Sequence, residues 1–311
     1  MIRFLKHSEI DSKKWNRAVR NSLFPTVFAE YEMLDLLTDT DTWSALIFQD
    51  YEVVIPLPTR KKGVLKYVYT PFFLPQMGIF SAREITPEET DNFLQEISKH
   101  YVLADILLNE TNEIRKPHNA DFVSHTLSLQ PTYNELYSLF HENTKRNIKV
   151  GKKMECRVSV GEESVSGIIT LFRANRGQGS NVHFREADYA RLSQLVDYLL
   201  KNNLLEVYGI RTNDNQLAAG ALFVKDGNRR WFWFSGRDNQ LSDCKPMFLL
   251  LDAYISDHAG SNLILDFNGS KNENVARLYQ GFGGKRYTIP FVRGFKNPLW
   301  KLVLSPFVEH I

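Results

Sequence analysis

The chain has 311 residues, of which 43% are hydrophobic and 24% charged, and its formal net charge is +2. That length exceeds one ordinary core and makes two domains the expectation. The near-neutral charge removes any bulk argument for nucleic-acid binding, so an anion site has to be local.

The N-terminus has no long apolar run before the charged stretch Asp11 to Lys14, and no segment approaches the ~18 apolar residues of a membrane span. Met247 to Ile255 is the most apolar stretch, and Asp252 breaks it. The two cysteines, Cys156 and Cys244, form no CxxC pair. No disulfide framework is expected, and a cytoplasmic setting is the simplest reading.

Along the first half, Ser12 to Asn21 and Val27 to Leu37 read as helices. Trp43 to Gln49 and Glu52 to Pro58 read as a strand pair around Asp50-Tyr51. Pro71 and Pro75 bracket an aromatic loop that ends in Gln76-Met77-Gly78. Thr86-Pro87-Glu88-Glu89 is a helix start, with proline in the first turn and acids at the positive pole. Ala104 to Leu108 and Ser124 to Leu129 are predicted strands.

The second half opens with a helix carrying Leu136, Leu139 and Phe140, then the run Asn143 to Lys149. Arg157 to Val160 is a predicted strand, and Ser164 to Ala174 and Phe184 to Asn203 are predicted helices. Strands follow at Leu205 to Arg211, Leu217 to Lys225 and Arg229 to Ser235, with hairpin signals at Asn213-Asp214-Asn215 and Asp226-Gly227-Asn228. Pro246 starts a helix that stops near Gly260. Leu263 to Phe267 is then a strand running into Asn268-Gly269-Ser270. The next helix has Val275, Leu278, Tyr279 and Phe282 on one face, a cap at Asn272 and a left-handed stop at Gly283. These orders predict two related α/β modules, at residues 1–129 and 130–311, each a mixed, mostly antiparallel sheet flanked by helices.

The segment DFNGS…VARLYQGFGG resembles the last quarter of a GNAT-type acyltransferase, and most closely the Fem-like N-acyltransferases related to peptidoglycan-bridge enzymes. Further pieces of the resemblance are Trp43 to Leu57, Tyr69-Thr70-Pro71, Gln76 to Phe80, His125 to Leu129, Asn143 to Ile148 and Leu217 to Gly220. The resemblance implies tandem GNAT modules that move an acyl or aminoacyl group onto an amine. The acceptor it implies is a small molecule or a cell-envelope precursor. No long helical arm is visible, unlike the aminoacyl-tRNA ligases with a coiled-coil insertion. Coenzyme-A-using relatives carry a glycine-rich pyrophosphate loop, where this chain reads Gly236 to Pro246 with Asp238 and Asp243 and no close glycine pair. A coenzyme A donor is therefore disfavoured, and an acyl carrier or aminoacyl-tRNA stays open.

Amine acylation needs a free amine, a polarised carbonyl and a proton for the leaving group. The resemblance places Tyr279 as that proton donor; the alternative is a core aromatic. Asp266 can accept a proton or orient the amine; it can equally cap the next helix or pair with Arg277. Arg277 is itself a candidate for a substrate phosphate or carboxylate. Arg146 and Lys149 belong to the densest basic run, Lys145 to Arg157, which suits nucleotide-sugar or tRNA phosphates or else a solvated helix end. Trp233 and Ser235 are expected with Trp231 on one sheet face, opposite Phe232 and Phe234, lining an acyl channel. Arg237 is a candidate anion contact, and Tyr69 and Gln76 are candidates for an acceptor pocket. No zinc helix, dinucleotide fingerprint, nucleophile elbow or Walker loop is present. Two rival readings remain: an acetyl-CoA-dependent GNAT enzyme acting on a sugar or lipid amine, and a GNAT-fold binding protein without chemistry.

Overall fold

The computed structural model describes residues 1–38, 42–62, 65–115, 122–161, 164–175, 184–269 and 273–295. It separates into two compact units, Met1–Phe122 with the segment beginning at Thr288, and Val123–Tyr287.

In the first unit, β1 (Ile2–Lys6) precedes α1 (Ser12–Arg20) and α2 (Tyr31–Leu37). The single helix expected over Val27 to Leu37 is divided by Glu30, whose extended backbone (φ −68°, ψ 152°) separates a 3-10 turn at Val27–Ala29 from α2. The expected strand pair is β2 (Trp43–Phe48) and β3 (Val53–Lys62), which join antiparallel. Then come β4 (Leu65–Tyr69), β5 (Phe80–Ser81), α3 (Pro87–His100) and β6 (Leu103–Leu107). The Thr86 hydroxyl accepts from the Glu89 amide and the Glu89 carboxylate accepts from the Thr86 amide, so α3 starts with a reciprocal cap.

The second unit begins with β7 (Phe122–Ser128), α4 (Tyr133–Leu139), α5 (Glu142–Lys153) and β8 (Arg157–Val160). It continues through α6 (Val165–Ala174), α7 (Glu186–Lys201), β9 (Leu205–Arg211), β10 (Leu217–Asp226) and β11 (Arg229–Arg237). The last elements are α8 (Pro246–His258), β12 (Ile264–Asp266), α9 (Glu273–Gly281) and β13 (Lys285–Ile289). The sheet runs β13-β7-β12-β11-β10-β9-β8, with β11 and β12 parallel. β9 and β12 thus share one mixed sheet, as the order of elements predicts. β7 lies before the expected boundary at residues 129 and 130, yet it pairs with β12. The final strand, β14 (Phe291–Phe295), pairs with β6 and so closes the first unit's sheet. Strand pairing joins residues distant in sequence, so a boundary drawn from chain order misses both exchanges.

One face of the second sheet packs on α5, α8 and α9 through Phe223, Tyr254, Leu250, Leu265 and Phe282, all fully buried. Tyr254 of α8 stacks on Phe223 of β10 with ring centres 3.6 Å apart. On the opposite face α6 lies close against β10 and β11. Gly220 and Gly236 are direct neighbours there, and a Cβ on Gly236 would sit 2.4 Å from the Ile168 carbonyl oxygen. Two adjacent glycines let the helix backbone approach the sheet, a route closed to any larger residue.

Candidate active site

The site is built where β11 outruns β12. Their parallel pairing covers only Arg229–Trp231 opposite Ile264–Asp266, while β11 continues to Arg237. At this level β11 also carries a bulge: Leu222 faces Phe234 and Phe223 faces Phe232, which leaves Trp233 as the extra residue. The bulge corrects the expected alternation. Phe232 contacts Phe223 and Tyr279, whereas Phe234 contacts Phe172 of α6 on the other face. Trp233 is buried and Ser235 is half-buried, both beyond the last residue of β11 that pairs with β12.

Tyr279 reaches this region from α9. Its ring stacks on Phe267, just past β12, at 4.7 Å and 20°, and meets Phe232 edge-on at 6.1 Å. The helix ends at once, because Gly283 adopts a left-handed backbone (φ 80°) and the Gly284 amide bonds back to the Tyr279 carbonyl. The expected cap Asn272 and the turn residue Ser270 lie outside the described residues.

His125 of β7 stands beside Tyr279, with ring centres 6.1 Å apart. Its side chain is 1% exposed. Gln280 approaches its Nε2 at 3.3 Å, and amide donation there assigns the ring proton to Nδ1. Nδ1 is buried with no hydrogen-bond partner among the described residues. Burial, together with the nearby Arg286 guanidinium, holds the imidazole pKa below its ordinary value, so the ring is neutral at neutral pH. In the sequence, His125 belongs to the stretch His125 to Leu129 that carries the family resemblance. Its legible signal was a histidine in phase with Leu127 and Leu129 on an apolar strand face, which a core histidine would equally produce.

Asp266 is fully buried at the end of β12. Oδ1 accepts from Ser124 Oγ at 3.1 Å and from the Asn268 amide at 2.9 Å; Oδ2 accepts from Arg229 and from the Tyr287 hydroxyl, each at 2.6 Å. Burial and the Asp266 charge push the Tyr287 hydroxyl well above the usual tyrosine range. The carboxylate therefore ties β7, β11, β12 and β13 together. It does not pair with Arg277, whose exposed side chain reaches Glu273 on the same helix at 3.3 Å.

The basic run divides by helical phase. Lys145 reaches Glu142 at 3.0 Å, and Lys152 reaches the buried Asp252 at 2.9 Å. Arg146 and Lys149 project outward on α5 with Lys153, and Arg146 donates to Asn143 at 2.7 Å. Arg237 is exposed at the end of β11, and its carbonyl accepts from Asn175. From there to α8 the chain forms a 3-10 turn at Ser242–Cys244 and a left-handed Lys245 (φ 49°), with Asp238 accepting from the Gln240 amide. Tyr69 and Gln76 belong to the first unit. The Arg60 guanidinium covers the Tyr69 ring at 4.2 Å, and buried Gln76 accepts from the Glu110 amide at 2.9 Å.

A model described as an acetyltransferase (GNAT) domain matches residues 138–273, within the second unit. The structure of FemX superposes with a TM-score of 0.62 at 11% identity, covering 94% of this chain and 98% of that one. This is a GNAT-fold protein of Fem-like architecture. The same fold extends to the C-terminal domain of an Agrobacterium fabrum protein assigned as a lysylphosphatidylglycerol synthetase, with a TM-score of 0.55, 9% identity and coverage of 96% and 95%. L-PGS from Bacillus licheniformis gives a TM-score of 0.53 at 10% identity, with coverage of 96% and 97%. No curated protein matches the sequence. The likeness to these structures is one of fold. Among its described residues no helix is long and apolar enough to cross a membrane.

Proposed function

We propose that this chain is an N-acyltransferase that moves an acyl or aminoacyl group onto an amine, with its reacting centre in the second unit. The observation that carries the proposal is the placement of Tyr279 beside a neutral His125 with an unused Nδ1, where β11 and β12 stop pairing. The free amine attacks the acyl carbonyl, the bond to the leaving group breaks as the C–N bond is completed, and the surplus amine proton passes to water. The His125 Nδ1–H donates to the oxygen on which charge develops, and the Tyr279 hydroxyl protonates the leaving group. Asp266, with both oxygens engaged, positions the strands that carry these residues. Trp233 and Ser235 line the acyl path, and Arg277 and Arg237 offer cations at its exposed edge.

The β11–α8 connection has left-handed Lys245 and then Pro246, which has no N–H, where a pyrophosphate cradle would need donors. This favours an acyl carrier or an aminoacyl-tRNA as donor over coenzyme A, with Arg146 and Lys149 taking donor phosphates. A small-molecule or cell-envelope-precursor amine as acceptor and a cytoplasmic setting complete the reading.

The test offers the purified chain acetyl-CoA, an acyl-carrier thioester and aminoacyl-tRNA, each with a panel of amines, and reads the products by mass spectrometry. Amide formed from the carrier or tRNA donor is the expected result. Amide from acetyl-CoA alone would move the donor assignment to coenzyme A. No amide with any donor, together with saturable binding, would replace the enzyme by a binding protein.

A further inference from the structure

Cys156 and Cys244 are the only two cysteines of the chain, and α6, α7 and four strands separate them in sequence. The fold brings them together. Gly151 in the last turn of α5 lies against the Cys244 backbone, and a Cβ there would stand 2.7 Å from the Cys244 carbonyl oxygen. The Lys152–Asp252 ion pair and the Tyr133–Asp252 hydrogen bond anchor α4, α5 and α8 to one another. After α5 the left-handed Glu155 (φ 54°) turns the chain, and Cys156 packs against the core cluster that contains Cys244. The two thiols are free, and Cys156 is close enough to the Cys244 thiol to act on its charge.

Their environments differ in a way that assigns an order of reaction. Cys156 is half-buried. Cys244 is 5% exposed, and its S–H donates to the Leu241 carbonyl at 2.9 Å. Burial, and then the neighbouring Cys156 thiol, push the Cys244 thiol up to about 11, so it stays protonated at neutral pH.

We propose that Cys156 and Cys244 form an oxidation site that a peroxide converts to an intramolecular disulfide, fastening the end of α5 to the turn that leads into α8. The Cys156 thiolate attacks one peroxide oxygen, the O–O bond breaks, and sulfenic acid and hydroxide form. The Cys244 sulfur then attacks the Cys156 sulfur and displaces the sulfenic hydroxyl, which leaves as water with the Cys244 proton. Overall two thiols and one hydrogen peroxide give one disulfide and two waters, and the two electrons pass from sulfur to peroxide. The turn held by Cys244 belongs to the β11–α8 connection, so oxidation changes the freedom of a segment next to the proposed acyl path. The chemistry needs only the two thiols and is independent of the acyl-transfer reading.

The test treats the reduced, full-length chain with hydrogen peroxide and maps its peptides without reduction. Loss of both titratable thiols within a monomer, with one cross-linked Cys156–Cys244 peptide, is the expected result. In Cys244→Ser, Cys156 should accumulate as sulfenic acid that dimedone traps; in Cys156→Ser, Cys244 should stay reduced under the same exposure. Two thiols still titrating after treatment would overturn the proposal. So would Cys156 passing to sulfinic acid beside a free Cys244, or a disulfide found only between chains. A circular-dichroism and melting comparison of both serine variants with the parent identifies any variant that fails to fold, and the parent's peptide map decides the matter without them.

Discussion

The Tyr287 hydroxyl donates to Asp266 Oδ2 at 2.6 Å, and Arg229 binds the same oxygen at 2.6 Å. A fully buried carboxylate is tolerated because a cation and three neutral donors satisfy it. Removing one charge leaves the other unpaired. Arg229→Leu should therefore destabilise the chain by about 3–5 kcal/mol, and Arg229→Leu with Asp266→Leu by less than the sum of the single changes. Urea unfolding checks this. A loss below about 1 kcal/mol in Arg229→Leu would mean that the carboxylate is not held by charge pairing.

Tyr279 stacks on Phe267 through its ring, whereas the proposed chemistry uses only its hydroxyl. Tyr279→Phe should keep the stack and the melting temperature, and lower turnover at least about tenfold, the low side of what positioned acid catalysis supplies. Steady-state kinetics on the amide product measures it, and an unchanged rate would remove Tyr279 from the mechanism.

Two histidines should give opposite pH dependences of stability. The folded pKa of His125 is lowered by burial, so the unfolded chain takes up its proton first; stability is full above the unfolded value of about 6.5 and falls as pH drops through it. His125→Leu should flatten that acid loss. For His258, burial opposes charging, but Glu206 at 3.5 Å overrides it and the folded pKa is raised. Its contribution is present below about pH 6.5 and is lost as pH rises through the folded value. His258→Gln should thus destabilise more at pH about 5.5 than at pH about 9. Denaturant melts across that range decide both signs, and equal losses at the two ends would refute the His258 assignment.

Arg146 and Lys149 are exposed on the outer side of α5, while Lys152 holds the buried Asp252. Replacing Arg146 and Lys149 together by Ala should change stability by no more than about 0.5 kcal/mol each. It should weaken donor binding and flatten its salt dependence. Lys152→Ala should do the reverse, destabilising the α5–α8 contact without altering the salt slope. A titration at two ionic strengths separates them, and an unchanged slope in the double variant would return both residues to an ordinary solvated helix end.

The path of the chain through its secondary elements was largely readable from local chemistry. The reciprocal cap at Thr86 and Glu89, Pro246 at the head of α8, the hairpins at Asn215 and Gly227 and the stop at Gly283 each depend on residues a few positions apart. Such preferences act within one turn of backbone, so they survive whatever the rest of the fold does. They also carried the family resemblance, since the closing segment is one strand, one turn and one helix.

What tertiary structure alone decided is every feature that depends on which distant strands meet. The bulge at Trp233 comes from fitting β11 to β10, and it moves Phe234 to the opposite face from Phe232. Alternation in β11 itself cannot reveal it, because an extra residue in a ladder is defined only against its partner. The donors on Asp266 come from β7, β11 and β13 as well as its own turn, and His125 acquires meaning only beside Tyr279 and Gln280. Cys156 and Cys244 lie remote in sequence and become neighbours once α5 lies against the turn before α8. Sequence set the elements and their order through short-range backbone and side-chain preferences. Burial and strand register then chose which polar groups face one another, because only a closed core makes an unpaired polar group costly.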